Sequence, residues 1–405
     1  MYYYIVLVIL ILSNLFSLFL DILSMKSLNR PVPENVADVY DTDRYNKWKA
    51  YEKENIRLTI IKNIVSFIII FLLLSLKIFK YLVFFENEYL NIIIMLLIYN
   101  GYNALIDAFI FDYIKEFKIE KKYGFSNMKL KTYISDEVKN FLLAFILTMG
   151  LSCLYKTLFD LLDVYVIIIF SLALTIFVFV INLLSSVFIR IFNKLTPLED
   201  GELRRELEAL LTSNGYKVKD IYVMDSSKRS TKSNAMFAGL GHMKTIILYD
   251  NIIKELSPRE LVAVFSHELG HGKHHDTMFG FLRSIVMIAM VSICIYFISS
   301  SKEFFTDFGF ESISYAFGLI VLTEVFLDFI SPLLSLIQNI FSRHQEYRAD
   351  SFASSIGYGE DIISALKKLT RSNFGDLNPH PLLVKLYYSH PTLSQRINNI
   401  RGIKE

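Results

Sequence analysis

Only two of the 405 residues are cysteine, and Cys153 and Cys294 each lie inside an apolar run, with neither metal-ligand nor redox spacing. A disulfide framework is therefore excluded, nothing points to an oxidising compartment, and both thiols read as small apolar packing residues. Charge is scarce as well: Asp, Glu, Lys and Arg make up 20% of the chain and nearly cancel at +2, which leaves no basic field for nucleic acid. The start of the chain lacks the basic n-region and small-residue cleavage site of a signal peptide, so its first apolar run reads as a retained membrane span. There is one tryptophan, Trp48, and its place in a polar stretch beside that span fits an interface anchor. What the chain has in excess is apolar residues, 53% of the total and gathered into long runs, the mark of a multi-pass α-helical membrane protein.

Runs of bilayer-crossing length fall at residues 2–24, 58–85, 90–111, 141–162, 164–192, 277–299 and 313–340, giving seven transmembrane helices. The chain then divides into an N-terminal membrane region of five spans (1–192), a polar segment (193–276), spans six and seven (277–340) and a polar C-terminal part (341–405). Lys/Arg-rich loops follow spans one and three, around Lys26–Arg57 and Lys115–Lys131. The positive-inside tendency makes that side cytoplasmic, and with seven spans the polar segment and the C-terminus fall there too. The host membrane is the cell membrane in a bacterium and the endoplasmic reticulum in a eukaryote. Asp107, Asp160, Asp163, Glu324 and Asp328 lie within spans, where charge against lipid is costly; Glu324 and Asp328, four apart, read as lining an aqueous space or as helix-to-helix contacts.

The polar segment mixes a helical run from Gly201 to Asn214 with short β-type runs at Ile221–Met224 and Thr245–Tyr249, an α+β pattern. It ends in a helix whose start is written in Ser257-Pro258-Arg259-Glu260: a capping residue, a proline at the first turn and the glutamate of a capping box. On that helix stands His267-Glu268-Leu269-Gly270-His271. Imidazoles four apart share a face and can each give a nitrogen to one Zn²⁺, while Glu268 beside them is placed to take a proton from an attacking water. A catalytic zinc site needs a third protein ligand. His274 does not fit the longer zincin pattern, which has glycine there and a histidine three residues on, so it and His275 read as surface residues. The better source is Arg343-His344-Gln345-Glu346-Tyr347-Arg348-Ala349-Asp350, where Glu346 and Asp350 share a helical face: one can bind zinc while the other accepts the second N–H of a ligating histidine. Arg343 and Arg348 read as surface or ion-pair residues, His390 by itself as a turn residue before Pro391, and Asn234 by itself as a strand end.

Taken together these residues resemble the type I CAAX prenyl endopeptidase family, seven-span membrane zinc proteases that cut after the prenylated cysteine of a C-terminal Cys-aliphatic-aliphatic-X sequence. The resemblance runs through Lys122–Ser126, Phe192–Leu198, Met224–Ser230, Ser233–Phe237, the His267–His271 helix, Glu346–Asp350 and Ser389–Leu393. It implies one Zn²⁺ per chain held by His267, His271 and Glu346, Glu268 as general base, and Asp350 orienting a zinc histidine. It also implies that Asn234 and Ala235 hold an extended substrate on an edge strand, and that His390 and Arg396 act near the scissile carbonyl. The implied fold is a ring of seven helices around a water-filled intramembrane chamber, capped by a zincin-type α+β domain. The implied partners are the lipid bilayer and a peptide or protein substrate, with or without a C-terminal prenyl group; oligomeric state is not legible. The chain is shorter than the family pattern between span seven and the terminus, which bears on specificity. Two other readings compete: a quality-control zinc protease of the heat-shock type, with fewer spans, and a non-catalytic membrane scaffold, which would have no need of Glu268.

Overall fold

The computed structural model describes residues 1–184, 189–190, 193–215, 221–232, 235–238 and 245–403. Six helical segments are long and apolar enough to cross a membrane: Tyr2–Ser27, Thr42–Ser75, Glu88–Tyr123, Leu130–Leu183, Asp276–Ser300 and Tyr315–Asn373. The first two are single helices, α1 (Tyr2–Ser27) and α2 (Thr42–Ser75), and the third begins as α3 (Glu88–Ile106). The fourth breaks into α4 (Leu130–Leu162) and α5 (Val166–Leu183). At the break Asp163 takes φ 47°, a conformation an L-residue enters only in a sharp turn. Beyond it the Phe170 ring meets Tyr155 edge-on at 5.1 Å, where fifteen residues of straight helix would separate them by about 22 Å. The 54-residue apolar run is thus a hairpin.

The helix of the second span, expected to reach Phe85, stops at Ser75 because Lys77 adopts φ 54°. At its other end α2 begins at Thr42, capped by the Asp41 carboxylate, so much of the expected polar loop is helix standing clear of the apolar run. Trp48 lies there, and here the expectation of an interface anchor is corrected. The indole is 1% exposed, stacked on both Tyr45 and Tyr40 in a cluster with Tyr51, Phe125 and Phe374. Burial of so much aromatic surface ties the first polar loop to the C-terminal part of the chain. An ion pair at the rim does the same, with Lys367 on Asp38 at 2.7 Å, while Lys122 on Glu54 at 2.6 Å ties the loop after the third span to α2.

At the opposite end, the link between α8 (Asp276–Ser300) and the last span packs Phe304, Phe305, Phe308, Phe310 and Phe317 against one another, and the N-terminal ammonium meets Asp307 at 2.5 Å. Glu324 and Asp328 face α1 and α2: Ser13 donates to Asp328, and both carboxylates line a cavity of about 160 Å³ with Asn14, Ser17, Asn63 and Ser66.

Outside the spans a four-stranded sheet runs in the order β1 (Leu195–Pro197), β2 (Ile221–Met224), β4 (Thr245–Tyr249), β3 (Ala235–Ala238), with β2 and β4 parallel and both outer strands antiparallel to their neighbours. Helix α6 (Glu202–Ser213) and helix α7 (Pro258–Lys273) cover it: Leu207, Leu211, Ile221, Leu248, Leu261, Val262, Phe265 and Leu269 form one core. The start of α7 carries the capping box, with Ser257 Oγ accepting from the Glu260 N–H and Glu260 Oε2 accepting from the Ser257 N–H at 2.7 Å.

Candidate active site

Two helices cross at their backbones to make the site. The last span continues as α9 (Asp328–Ala353), and it lies against α7 so closely that a Cβ added to Gly270 would stand 2.8 Å from the Ala349 Cα. Only a glycine facing a small residue allows that approach. It brings the ends of three side chains together. His267 Nε2 and His271 Nε2 are 3.2 Å apart, Glu346 Oε2 is 3.4 Å from the first, and Glu346 Oε1 is 3.2 Å from the second.

These separations suit a metal. Ligand atoms at about 2.0–2.1 Å from a tetrahedral Zn²⁺ stand about 3.3 Å apart. Glu346 Oε2 is buried without a hydrogen-bond partner, a donor that desolvation penalises unless something occupies the space before it. Both imidazoles have their other nitrogen engaged: His267 Nδ1 donates to Asp350 Oδ1 at 2.8 Å and His271 Nδ1 to Asp276 Oδ2 at 2.9 Å, which leaves the Nε2 lone pairs facing the common point. Burial pulls the His271 imidazole down, but the Glu346 and Asp276 carboxylates outweigh it and hold it at about 9. The negative field that retains a proton there is the field that would retain a dication. Among the described residues, this is the one His/Cys/Asp/Glu group of three or more with metal-ligand proximity.

Glu268, half-buried, follows His267 on the same helix, and among the described residues no side chain hydrogen-bonds its carboxylate. Arg396, on α12 (Leu393–Ile400), is buried: its Nε and Nη2 donate to Asp350 at 2.9 and 2.6 Å, and its Nη1 lies 3.6 Å from Glu346 Oε2. His390 sits at the open side, 62% exposed, with Nε2 at 3.4 Å from Glu346 Oε1. Ala235 begins β3, which is an edge of the sheet; Asn234 lies outside the described residues. His275 is exposed and His274 half-buried, and neither joins the group.

The surface or ion-pair reading of Arg343 and Arg348 left their partners open, and two contacts supply them. Arg343 Nη1 donates to the carbonyls of Val384 and Tyr388, both at 2.9 Å, so α9 holds the end of helix α11 (Pro381–Tyr387) just ahead of His390. And Asp276, the partner of His271, receives Arg348 Nη2 at 2.6 Å. Neither follows from local pattern, since each joins distant parts of the chain.

Comparison with known proteins agrees with this geometry. Residues 197–404 match peptidase family M48, and residues 21–194 match the CAAX prenyl protease N-terminal family, described by five membrane helices. CAAX prenyl protease 1 of Saccharomyces cerevisiae is 31% identical over 72% of this chain and 68% of its own length. The CAAX prenyl protease 1 homolog of Oryza sativa is 29% identical over 97% of this chain and 96% of its own. The crystal structure of S. mikatae Ste24p superposes with a TM-score of 0.89 at 25% identity, covering 99% of both chains. The five-helix match over the N-terminal half speaks against the heat-shock type of protease, which has fewer spans. The chain belongs to peptidase family M48, and is a multi-pass membrane zinc metalloendopeptidase of the CAAX prenyl protease family.

Proposed function

We propose that this enzyme hydrolyses peptide bonds near the C-terminus of prenylated or membrane-associated peptides, with one Zn²⁺ held by His267, His271 and Glu346. The observation that carries this reading is the convergence of the two Nε2 atoms, 3.2 Å apart, on the Glu346 carboxylate, one of whose oxygens lies 3.4 Å from His267 and the other 3.2 Å from His271. When bound, the ion polarises the scissile carbonyl and lowers the pKa of an attacking water towards ~7. Glu268 takes the proton from that water and passes it to the leaving amine. His390, exposed beside Glu346, donates to the oxygen on which charge develops, and the Arg396 guanidinium behind it adds positive potential. Asp350 orients His267. Asn234 and Ala235 hold the substrate, which adds as a strand along the free edge of β3.

Seven spans are the arrangement we favour, and parity supports it. The N-terminal ammonium pairs with Asp307, so an even number of crossings separates them; that holds when the α4–α5 hairpin is counted as two. Residues 1–192 then form the five-span membrane region, 193–276 and 341–405 the two parts of a zincin-type α+β peptidase domain, and 277–340 spans six and seven. The positive-inside tendency of the basic loops supports a cytoplasmic side for that domain and the C-terminus. The polar wall of Asn14, Ser17, Asn63, Ser66, Glu324 and Asp328 between spans is consistent with a hydrated intramembrane chamber.

The test is cleavage of a farnesylated CAAX peptide beside its unprenylated twin, with zinc measured in the same preparation. Preferential turnover of the farnesylated peptide is expected, and equal turnover would favour general quality control. Glu268→Ala should keep zinc and lose cleavage; a variant that still cleaves refutes Glu268 as base.

A further inference from the structure

Each of the two histidines has a carboxylate behind it, and each carboxylate has an arginine. For His267 the chain of contacts is Asp350 and then Arg396; for His271 it is Asp276 and then Arg348. We infer that Asp276 and Arg348 are positioning residues for the metal: Asp276 fixes the tautomer and ring plane of His271, and Arg348 fixes Asp276. This rests on the reading of His267, His271 and Glu346 as zinc ligands.

Asp276 comes from an unusual place. Helix α7 ends at Lys273, His275 adopts φ 56°, and Asp276 opens the sixth span, α8. The left-handed residue turns the chain so that Asp276 points back along α7. Both carboxylate oxygens are used, Oδ2 by His271 Nδ1 at 2.9 Å and Oδ1 by Arg348 Nη2 at 2.6 Å, and the residue is 7% exposed. A buried carboxylate whose side-chain partners among the described residues are these two does not serve the fold's surface; it serves the imidazole. Arg348 stands two residues beyond Glu346 on α9, so one helix supplies a ligand for the ion and the clamp for the opposite histidine. The two relays differ in solvent access. The Arg396 side chain is 10% exposed and that of Arg348 is 36% exposed, so the second clamp is screened by water and salt where the first is not.

The consequences are graded. Loss of a carboxylate behind a zinc histidine weakens metal binding by about 10- to 100-fold, the effect expected for Asp276→Asn. An ion pair with one partner near solvent is worth far less, so Arg348→Gln should weaken zinc about 2- to 5-fold, and high salt should erase that difference. Because Arg348 acts through Asp276, adding Arg348→Gln to Asp276→Asn should change zinc affinity no further, and Arg348→Lys should restore most of what Arg348→Gln loses.

Zinc affinity of the metal-stripped, detergent-solubilised full chain, measured by competition with a chromophoric chelator, tests this. The thermal midpoint of each zinc-free variant reports on the fold separately. The expected result is weakened zinc in Asp276→Asn with the zinc-free midpoint little moved, and no added effect of Arg348→Gln in that background. If Asp276→Asn binds zinc within twofold of the parent while His267→Ala has lost it, the relay is wrong and the zinc site stands. An equal effect of Arg348→Gln with and without Asp276 removes Arg348 from the relay. If His267→Ala binds zinc as the parent does, the ligand assignment fails, and the relay fails with it.

Discussion

Substituting Gly270 by alanine should cost the enzyme its metal before it costs the fold. The new methyl carbon would lie 2.8 Å from Ala349 Cα and 3.2 Å from both its Cβ and its carbonyl oxygen. Carbon–carbon contacts settle at about 3.5–4.0 Å, so α7 and α9 must part by roughly 0.7 Å or more, and no rotamer change relieves a clash with backbone. Overpacking of this kind costs about 1–3 kcal/mol, partly offset by the roughly 0.5–1 kcal/mol that alanine gains over glycine inside a helix. The net loss of stability is therefore modest. The metal site is less forgiving, because ligand distances tolerate only about ±0.2 Å and Glu346 rides on the displaced helix three residues from Ala349. Zinc competition and thermal melting on the same preparation should show affinity falling by an order of magnitude or more while the zinc-free midpoint drops by a few degrees. Ala349→Gly added to Gly270→Ala should not rescue, since the Cα and carbonyl oxygen of residue 349 remain. Full zinc occupancy and activity in Gly270→Ala would refute the claim that this crossing sets the ligand geometry.

Chelation should abolish cleavage, and zinc should restore it. At free zinc of 100 Kd the bound ion should add about 2.7 kcal/mol, read as a rise in thermal midpoint that disappears in His267→Ala. Acid sensitivity should trace partly to Glu260. Burial pushes its carboxyl up, but Lys368, Ser364 and the Ser257 cap outweigh that and hold it at about 2 against an ordinary 4.5. With the Lys368 partner 45% exposed, solvent screening trims the contribution to about 1–2 kcal/mol, present above pH 4.5 and lost as pH falls towards 2, so Glu260→Gln should flatten the thermal midpoint's fall over that window. For the topology, single cysteines at Tyr165 and Lys47, with Cys153 and Cys294 replaced by alanine, should react with an impermeant maleimide from opposite faces of the membrane. Labelling from one face would remove the α4–α5 hairpin from the span count.

Much of this architecture was legible because its determinants are local. The capping box at Ser257–Glu260 starts α7 where the sequence writes it, and apolar length marks the spans. His267 with His271, and Glu346 with Asp350, are each four apart on a helix, so their shared faces follow from one periodicity. Trp48 was misread for the opposite reason. In sequence it is an aromatic among lysines near a membrane run, and distant residues such as Phe125 and Phe374, the latter more than 300 residues away, turn that neighbourhood into a core. Asp276 escaped for a subtler one. It is five residues after His271, and on a continuous helix that offset places two side chains about 140° apart, out of reach of one another. The contact exists because the helix is not continuous: His275, at φ 56°, reverses the path at the one point where the peptidase helix gives way to a membrane span. A residue whose function depends on where a helix breaks carries no periodic signature. The same break therefore ends the zinc helix, begins the sixth span and supplies the carboxylate that binds His271, so a shift of the span relative to α7 would reach the metal through a single side chain.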